Sequence, residues 1–564
     1  MALSAKSWNQ LAADLKLLGE MADDPLVSTS LETGVQMLVG DECMKKIRKD
    51  QPLVFLLQAK DEEVGAALLV PFGDTELLIT MLSEKFEDAD INCREDGVIA
   101  VEGYFYAKVE NGWTYFYTEE GQFTSLPKNV PQFVGEGKET FRFKVDINHL
   151  PKVILDSVFG SDSDLEALND FEFDDDTSEE EIKELRESLE KARKEREAMR
   201  KEIDAQDTFE ATLSLDHSTK SLNIDINVAL KADSELALQL KKMENLTPRF
   251  AGFFAKESGY SSAGGFAPAI SLGTGSLSEL VDTIFLYVSS DNDKDGEEQN
   301  ALQKTWKELA EQLKKLEPKS DAVESMGWNI QYLPDKKNLL CAVTGDTAAM
   351  EQVYRKLLEI LAQTFGDQYD PQWAQDNAAT FGDFRCHTCT LPMDTILKKL
   401  NAEMAKTDDE GLPEATLQMI KKQFGDKLQI VFGIGKDNAC VFGLGMSPLE
   451  LLGECVKPAE LKHASQEALS LKAVFAYTED LLEILRTVME HKFEKDETTE
   501  EDKKDFQKVQ NFVKLCREIT GDQNDKIHGT VDVQDNHIRL QITCEEGVTR
   551  FFASLRSIIT MLAM

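Results

Sequence analysis

The sequence predicts an α+β protein of about five repeated β-α-α-β-β-α units, with antiparallel sheets lined by helices on one face of an elongated or curved body. Three observations lead there. Helical apolar spacing alternates along the chain with pairs of short apolar runs, each pair is closed by a turn sequence, and no single stretch has enough apolar surface to be stable unaided. Neighbouring units must therefore complete one another's cores.

The first unit spans residues 1–97. Helical spacing covers 8–21 and 31–39, strands follow at 53–58 and 65–70 around a turn at 61–63, and a helix at 75–85 closes the unit. Both strands are almost wholly apolar, as expected of a sheet covered on at least one face. Residues 98–139 interrupt the pattern with an aromatic hairpin turning at Asn111-Gly112, a dipeptide suited to the primed hairpin turns. Its aromatics fall on both faces, so one face is expected to be core and the other a contact patch for a partner, with Tyr104, Tyr106, Trp113, Tyr115 and Tyr117 as its residues.

The second unit, 140–250, opens with an alternating strand at 140–147 and a helix at 150–159, then returns through strands 209–215 and 222–229 to a helix at 234–243. Between them lies the acidic segment 162–181 and a highly charged helix over 178–205. Its thin apolar stripe (Ile182, Leu185, Leu189, Ala192, Met199) fits a solvated helix with one docked edge, or a short coiled-coil seam. The third unit, 251–370, starts in a Gly/Ser/Ala-rich stretch, 257–268, that reads as a loop. It continues with helices at 277–288 and 303–316, strands at 327–332 and 338–343, and a helix at 347–364. The fourth, 371–458, runs from a strand at 383–390 through two helices to strands 428–433 and 439–443 and a helix at 448–455. The fifth, 459–564, is expected to open with a strand at 471–477 and to end with strands 526–533 and 537–543 and a helix at 548–562.

Charge narrows the function. The chain carries 62 Lys and Arg against 103 Asp and Glu, a formal net charge of −41, and a surface so anionic repels nucleic acid and anionic lipid. No run approaches the ~20 apolar residues of a membrane span, and the N-terminal residues lack the apolar core of a signal peptide. Nine scattered cysteines, an odd number, suit reduced thiols better than a disulfide framework.

Few residues suggest chemistry. Asp291, Asp293 and Asp295, followed by Gly296, imitate the start of a calcium loop, but the twelfth position is Leu302 where a bidentate carboxylate is needed. They remain weak calcium candidates, and no other metal and no cofactor is expected. Cys386-His387-Thr388-Cys389 has the spacing of a redox pair, yet its flanks alternate like a strand, where residues three apart face opposite ways. Gly433-Ile434-Gly435-Lys436 lacks the remaining residues of a phosphate loop and reads as hairpin punctuation. The seven histidines are dispersed, and no Gly-x-Ser-x-Gly or His-Glu-x-x-His motif occurs.

Several segments resemble a family of uncharacterised, usually exported proteins of planctomycete bacteria. They are residues 9–19 (Asn-Gln-Leu-Ala-Ala-Asp-Leu-Lys-Leu-Leu-Gly), Gly112-Trp113-Thr114-Tyr115 with Leu126-Pro127, Phe250-Ala251-Gly252-Phe253, and Ile538-Arg539-Leu540 with Glu545-Glu546-Gly547-Val548. The resemblance implies a signal-bearing precursor and a periplasmic or cell-envelope home; the cysteine content keeps a cytoplasmic location as the alternative. The expected function is non-enzymatic: a structural or assembly component, or a binding scaffold, working through its surfaces on a protein partner or on further copies. The alternatives are a carrier of an apolar, lipid-like ligand and an enzyme whose site the sequence does not display.

Overall fold

The computed structural model describes residues 1–60, 63–118, 130–133, 135, 137, 139–150, 179–243, 249–254, 258–266, 297–316, 324–333, 336–407, 411–493, 500–521 and 524–563. It is a mixed α+β structure whose described strand pairings are antiparallel. Two compact units emerge, one formed by residues 1–238 with 534–543 and the other by 239–533 with 544–564. Among the described residues no helix is long and apolar enough to cross a membrane.

In the first unit the chain starts as a strand, Ala2–Ala5, ahead of the helices Trp8–Ala22 and Pro25–Lys46. Each helix has a local reason to begin. Ser7 accepts from the Gln10 amide, and Asp24 caps the second helix through the Leu26 amide with Pro25 at its first turn. Strands Leu53–Lys60 and Glu63–Val70 follow, then helix Thr75–Lys85, capped by Asp74. The short N-terminal strand is hydrogen-bonded on both edges, to Leu53–Lys60 and to Phe141–Asp146. Beyond the latter come Gln206–Asp216 and Ser221–Leu230. On the other side Glu63–Val70 pairs with Trp113–Tyr117, itself paired with Phe105–Glu110 through a turn whose Asn111 and Gly112 both take positive φ.

The second unit repeats this logic. Strand Tyr260–Phe266 is bonded on both edges, to Glu324–Leu333 and to Ser465–Ser470. Glu324–Leu333 then pairs with Lys336–Thr344, followed by Ala439–Gly445, Lys427–Ile434, Phe384–Pro392 and Ala374–Phe381. The order strand, helix, helix, strand, strand, helix runs through residues 2–85, 384–455 and 465–563.

Several expectations need correction. Helices do not keep to one face of the sheet. In the second unit Leu451, Leu452 and Cys455 cover one face with Phe250 and Phe253, while Met350, Val353 and Tyr354 cover the other with Leu309. The strands require it: Val431 and Phe432 are adjacent, both buried, and point opposite ways. The segment read as a loop, 257–268, holds the strand Tyr260–Phe266. Gly264 lies so close to Ser465 that an added Cβ would come within 2.6 Å of its Cα, so lack of side chains here serves close strand approach. The strand expected at 471–477 is the start of helix Leu471–Phe493. Its alternating apolar residues mislead because capping decides: Ser470 Oγ accepts from the Ala473 amide at 3.1 Å and Asp525 from the Lys472 amide at 2.8 Å. Strands Ala2–Ala5 and Ala374–Phe381 were not anticipated. The helix expected at 150–159, apart from its first residue, and the helix expected at 277–288 lie outside the described residues.

Adjacent residues of one strand give a direct test. Leu69 is fully buried and Leu68 is 42% exposed. Leu69→Ala is expected to lower the unfolding free energy by about 2–5 kcal/mol, and Leu68→Ala by less than about 1 kcal/mol. Urea denaturation of the two variants measures the difference; equal losses would contradict the assignment of faces.

Candidate functional site

The aromatic hairpin does not present the expected contact patch. Trp113, Tyr115 and Tyr117 are buried, packed with Val54, Leu56, Leu69 and Val130. Tyr106 is half-buried and stacks on Tyr117, with ring centroids 5.7 Å apart. Tyr104 alone of the five is exposed, its ring 5.1 Å from that of Phe86. Asp291, Asp293 and Asp295 lie outside the described residues.

Cys386 and Cys389 sit on one strand, Phe384–Pro392, and face opposite ways, Cys386 among Phe250, Phe253 and Phe384 and Cys389 among Tyr354, Leu391 and Phe432. Burial pushes both thiols up to about 11, so neither is a thiolate near neutral pH. Among the described residues no three His, Cys, Asp or Glu side chains gather as a metal site requires. The hairpin after Gly433-Ile434-Gly435-Lys436 turns at Asp437 and Asn438, both with positive φ, between two paired strands.

Histidines are held by carboxylates. His217 Nε2 lies 2.6 Å from Asp14, His463 Nδ1 2.8 Å from Asp532 and His528 Nε2 3.0 Å from Glu545. Buried Asp14 also accepts from Gln10 at 2.9 Å and from Thr140, tying helix Trp8–Ala22 to the strands beside it. The carboxylate accepts from Gln10, Thr140 and His217 alike, so the imidazole does not take the hydroxyl's proton and the group is a clamp rather than a nucleophile relay. His387 is buried, with Nδ1 3.3 Å from Asp376 and its ring 4.8 Å from that of Tyr354. The Arg355 guanidinium holds Asp376 in two hydrogen bonds, of 3.1 and 2.8 Å, and lowers its carboxyl below the usual range.

A buried cation, Lys337, stands at the end of strand Lys336–Thr344. Lys337 Nζ donates to Asp480 at 2.9 Å and to Gln423, and lies 4.6 Å from the centre of the Tyr332 ring. Tyr332 donates to the same Asp480 oxygen. Burial opposes ionisation of Asp480, but the hydrogen bonds from Tyr332 and Lys337 outweigh it and hold the carboxyl below its ordinary value. Burial, then that carboxylate, pushes the Tyr332 phenol far up, so the proton stays on tyrosine.

Among the described residues, two features present surface to other molecules. One is a cavity of about 350 Å³ in the second unit, between the segment Arg249–Phe253, the turn before Phe384 and the end of helix Pro448–Cys455. Gly252 makes its floor: an added Cβ would strike the carbonyl of Cys455. Phe381 and Phe384 form one wall, and Arg249, Asp383 and Lys457 ring the mouth. The Arg249 guanidinium donates to the carbonyls of Asp437, at 2.6 Å, and of Lys436, while Asp383 pairs with Lys436 at 3.2 Å. The other is apolar surface on strands and helices. Leu3, Phe55 and Leu68 stand directly opposite one another on three adjacent strands and are 42%, 38% and 42% exposed. The same register continues to Phe143 on one side and Phe116 on the other. On helix Leu471–Phe493 the exposed residues Val474, Tyr477, Leu481 and Leu485 follow helical spacing. Strand alternation could have found the row. The cavity, drawn from three distant stretches, leaves no local pattern.

Comparison with protein-family models, with curated proteins and with solved structures gives no match.

Asp376 and Asp480 set an acid dependence. Each ionises below the ~3.9 of an unfolded aspartate, so the stability they supply is complete above about pH 4 and is lost as pH falls through their lower folded values. Asp376→Asn and Asp480→Asn should each be less stable than the parent chain at pH 7 and lose less on acidification from pH 5 to 2. Urea midpoints across that range test this; slopes parallel to the parent's would refute it.

Proposed function

We propose that this protein is a non-enzymatic binding scaffold built from five tandem β-α-α-β-β-α modules, acting through exposed apolar surface on a protein partner or on further copies. The recurring element order supports the tandem reading, as do the joins: the strands that open two modules meet antiparallel at Ala2–Ala5 with Phe141–Asp146, and again at Tyr260–Phe266 with Ser465–Ser470. The resemblance to exported planctomycete proteins favours an envelope or extracytoplasmic location.

One observation carries the functional reading. The row Phe143, Leu3, Phe55, Leu68, Phe116 crosses five paired strands, about 19 Å at the usual strand spacing, and its three central residues remain substantially exposed. In a chain of net charge −41 the surface is rich in carboxylates, so uncovered large apolar side chains in register mark a contact face. Association between copies must overcome mutual repulsion and therefore strengthens with salt.

Light scattering tests this. The parent chain is expected to show a mass above 63.2 kDa that rises between about 0.05 and 0.5 M salt, where screening shortens. The variant Phe55→Lys/Leu68→Glu, an opposite-charge cross-strand pair, should stay at 63.2 kDa and still unfold cooperatively in urea. A parent that stays monomeric throughout removes self-assembly; a variant that assembles like the parent removes this face.

A second reading, a carrier of an apolar ligand, is favoured by the cavity beside Phe381 and Phe384.

A further inference from the structure

The cavity in the second unit has a chemical polarity that narrows its occupant. Its wall is aromatic: Phe250 is buried behind it, and Phe381 and Phe384 line it on glycine-backed seats. An added Cβ at Gly453 would come within 2.9 Å of the Phe381 ring, and one at Gly435 within 3.0 Å of the Phe384 ring. Neither ring can move back, so the wall that these cross-strand neighbours form is fixed by backbone. The size, about 350 Å³, suits a molecule of one or two fused rings or a short alkyl chain.

The mouth differs from the rest of the surface. Asp383 is offset by Lys436, and the Arg249 guanidinium is committed to the carbonyls of Lys436 and Asp437. Lys457 lines the cavity as well, is exposed, and makes no ion pair among the described residues. An exposed lysine without an ion pair, lining a cavity that has an aromatic wall, in a chain carrying 41 more negative than positive groups, is where an anionic head group gains attraction. We propose that this cavity binds a small aromatic anion, its ring against the wall formed by Phe381 and Phe384 and its carboxylate or sulfonate on Lys457. This rests on the carrier reading above and adds the charge and ring character of the ligand.

Two fluorescent probes of similar shape separate the claims: 8-anilinonaphthalene-1-sulfonate, which is anionic, and N-phenyl-1-naphthylamine, which is neutral. The full chain should bind the anionic probe more tightly, and Lys457→Gln should weaken it about tenfold while leaving the neutral probe unchanged. Ala459→Trp, which fills the cavity from its lining, should abolish cavity binding of both. Thermal midpoints of the variants confirm folding; Ala459→Leu serves if the tryptophan variant does not fold. If Lys457→Gln binds both probes like the parent, the anion inference falls and the carrier reading stands. If neither probe binds the parent, or filling the cavity changes neither, both fall.

Discussion

Short strands bonded along both edges hold each unit together. Ala2–Ala5 has four residues, yet it closes the open edge of Leu53–Lys60 on one side and of Phe141–Asp146 on the other. Tyr260–Phe266 does the same between Glu324–Leu333 and Ser465–Ser470. An unpaired edge invites pairing with foreign chains, and sealing it inside the molecule removes that hazard. The partners are remote: Ala2 stands opposite Leu56 and Lys144. Such joins close large loops, so each carries a loop-closure entropy cost that the packing around it must offset.

Side-chain size is subordinated to these joins. Gly264 permits the approach of Ser465, and Gly327 lies against Phe250 and Phe253, where an added Cβ would come within 2.7 Å. This is why some of the fold was legible from sequence and some was not. Apolar strand pairs and the Asn111-Gly112 turn follow local rules, and the structure places them where those rules do. Strand Tyr260–Phe266 escaped because a glycine and serine composition that normally signals a loop is here imposed by neighbours on both sides. Helix Leu471–Phe493 escaped because the Asp525 that caps it is distant in sequence. The aromatic hairpin was legible as a hairpin, but which face is core depends on Val54, Leu56 and Leu69, contributed by other strands. The cavity had no local signature: Phe250-Ala251-Gly252-Phe253 stands out in the sequence, but nothing there says that it meets Phe381, Phe384 and Lys457.

Ionisable groups inside the protein act as fasteners. Asp14 gathers Gln10, Thr140 and His217, and Asp480 gathers Tyr332 and Lys337. Groups of this kind add little net stability compared with apolar packing, because desolvation offsets their attraction, but they penalise any arrangement that leaves one member unpaired. They fix which helix sits over which strand, leaving the apolar rows and the aromatic cavity as the surfaces open to other molecules.

The thiols bear on how such a protein behaves once purified. Cys43, Cys386, Cys389, Cys440, Cys455, Cys516 and Cys544 are buried, and burial pushes half-buried Cys341 up to about 12. Cys93, at the end of the short strand Ile91–Cys93, is exposed. With seven of its fellow thiols buried and Cys341 half-buried, Cys93 forms a protein disulfide most readily with the Cys93 of a second chain. Air-aged preparations therefore accumulate covalent pairs that counterfeit true association and vanish on adding a reductant, and the same isolated sulfur offers a single attachment point for a maleimide dye.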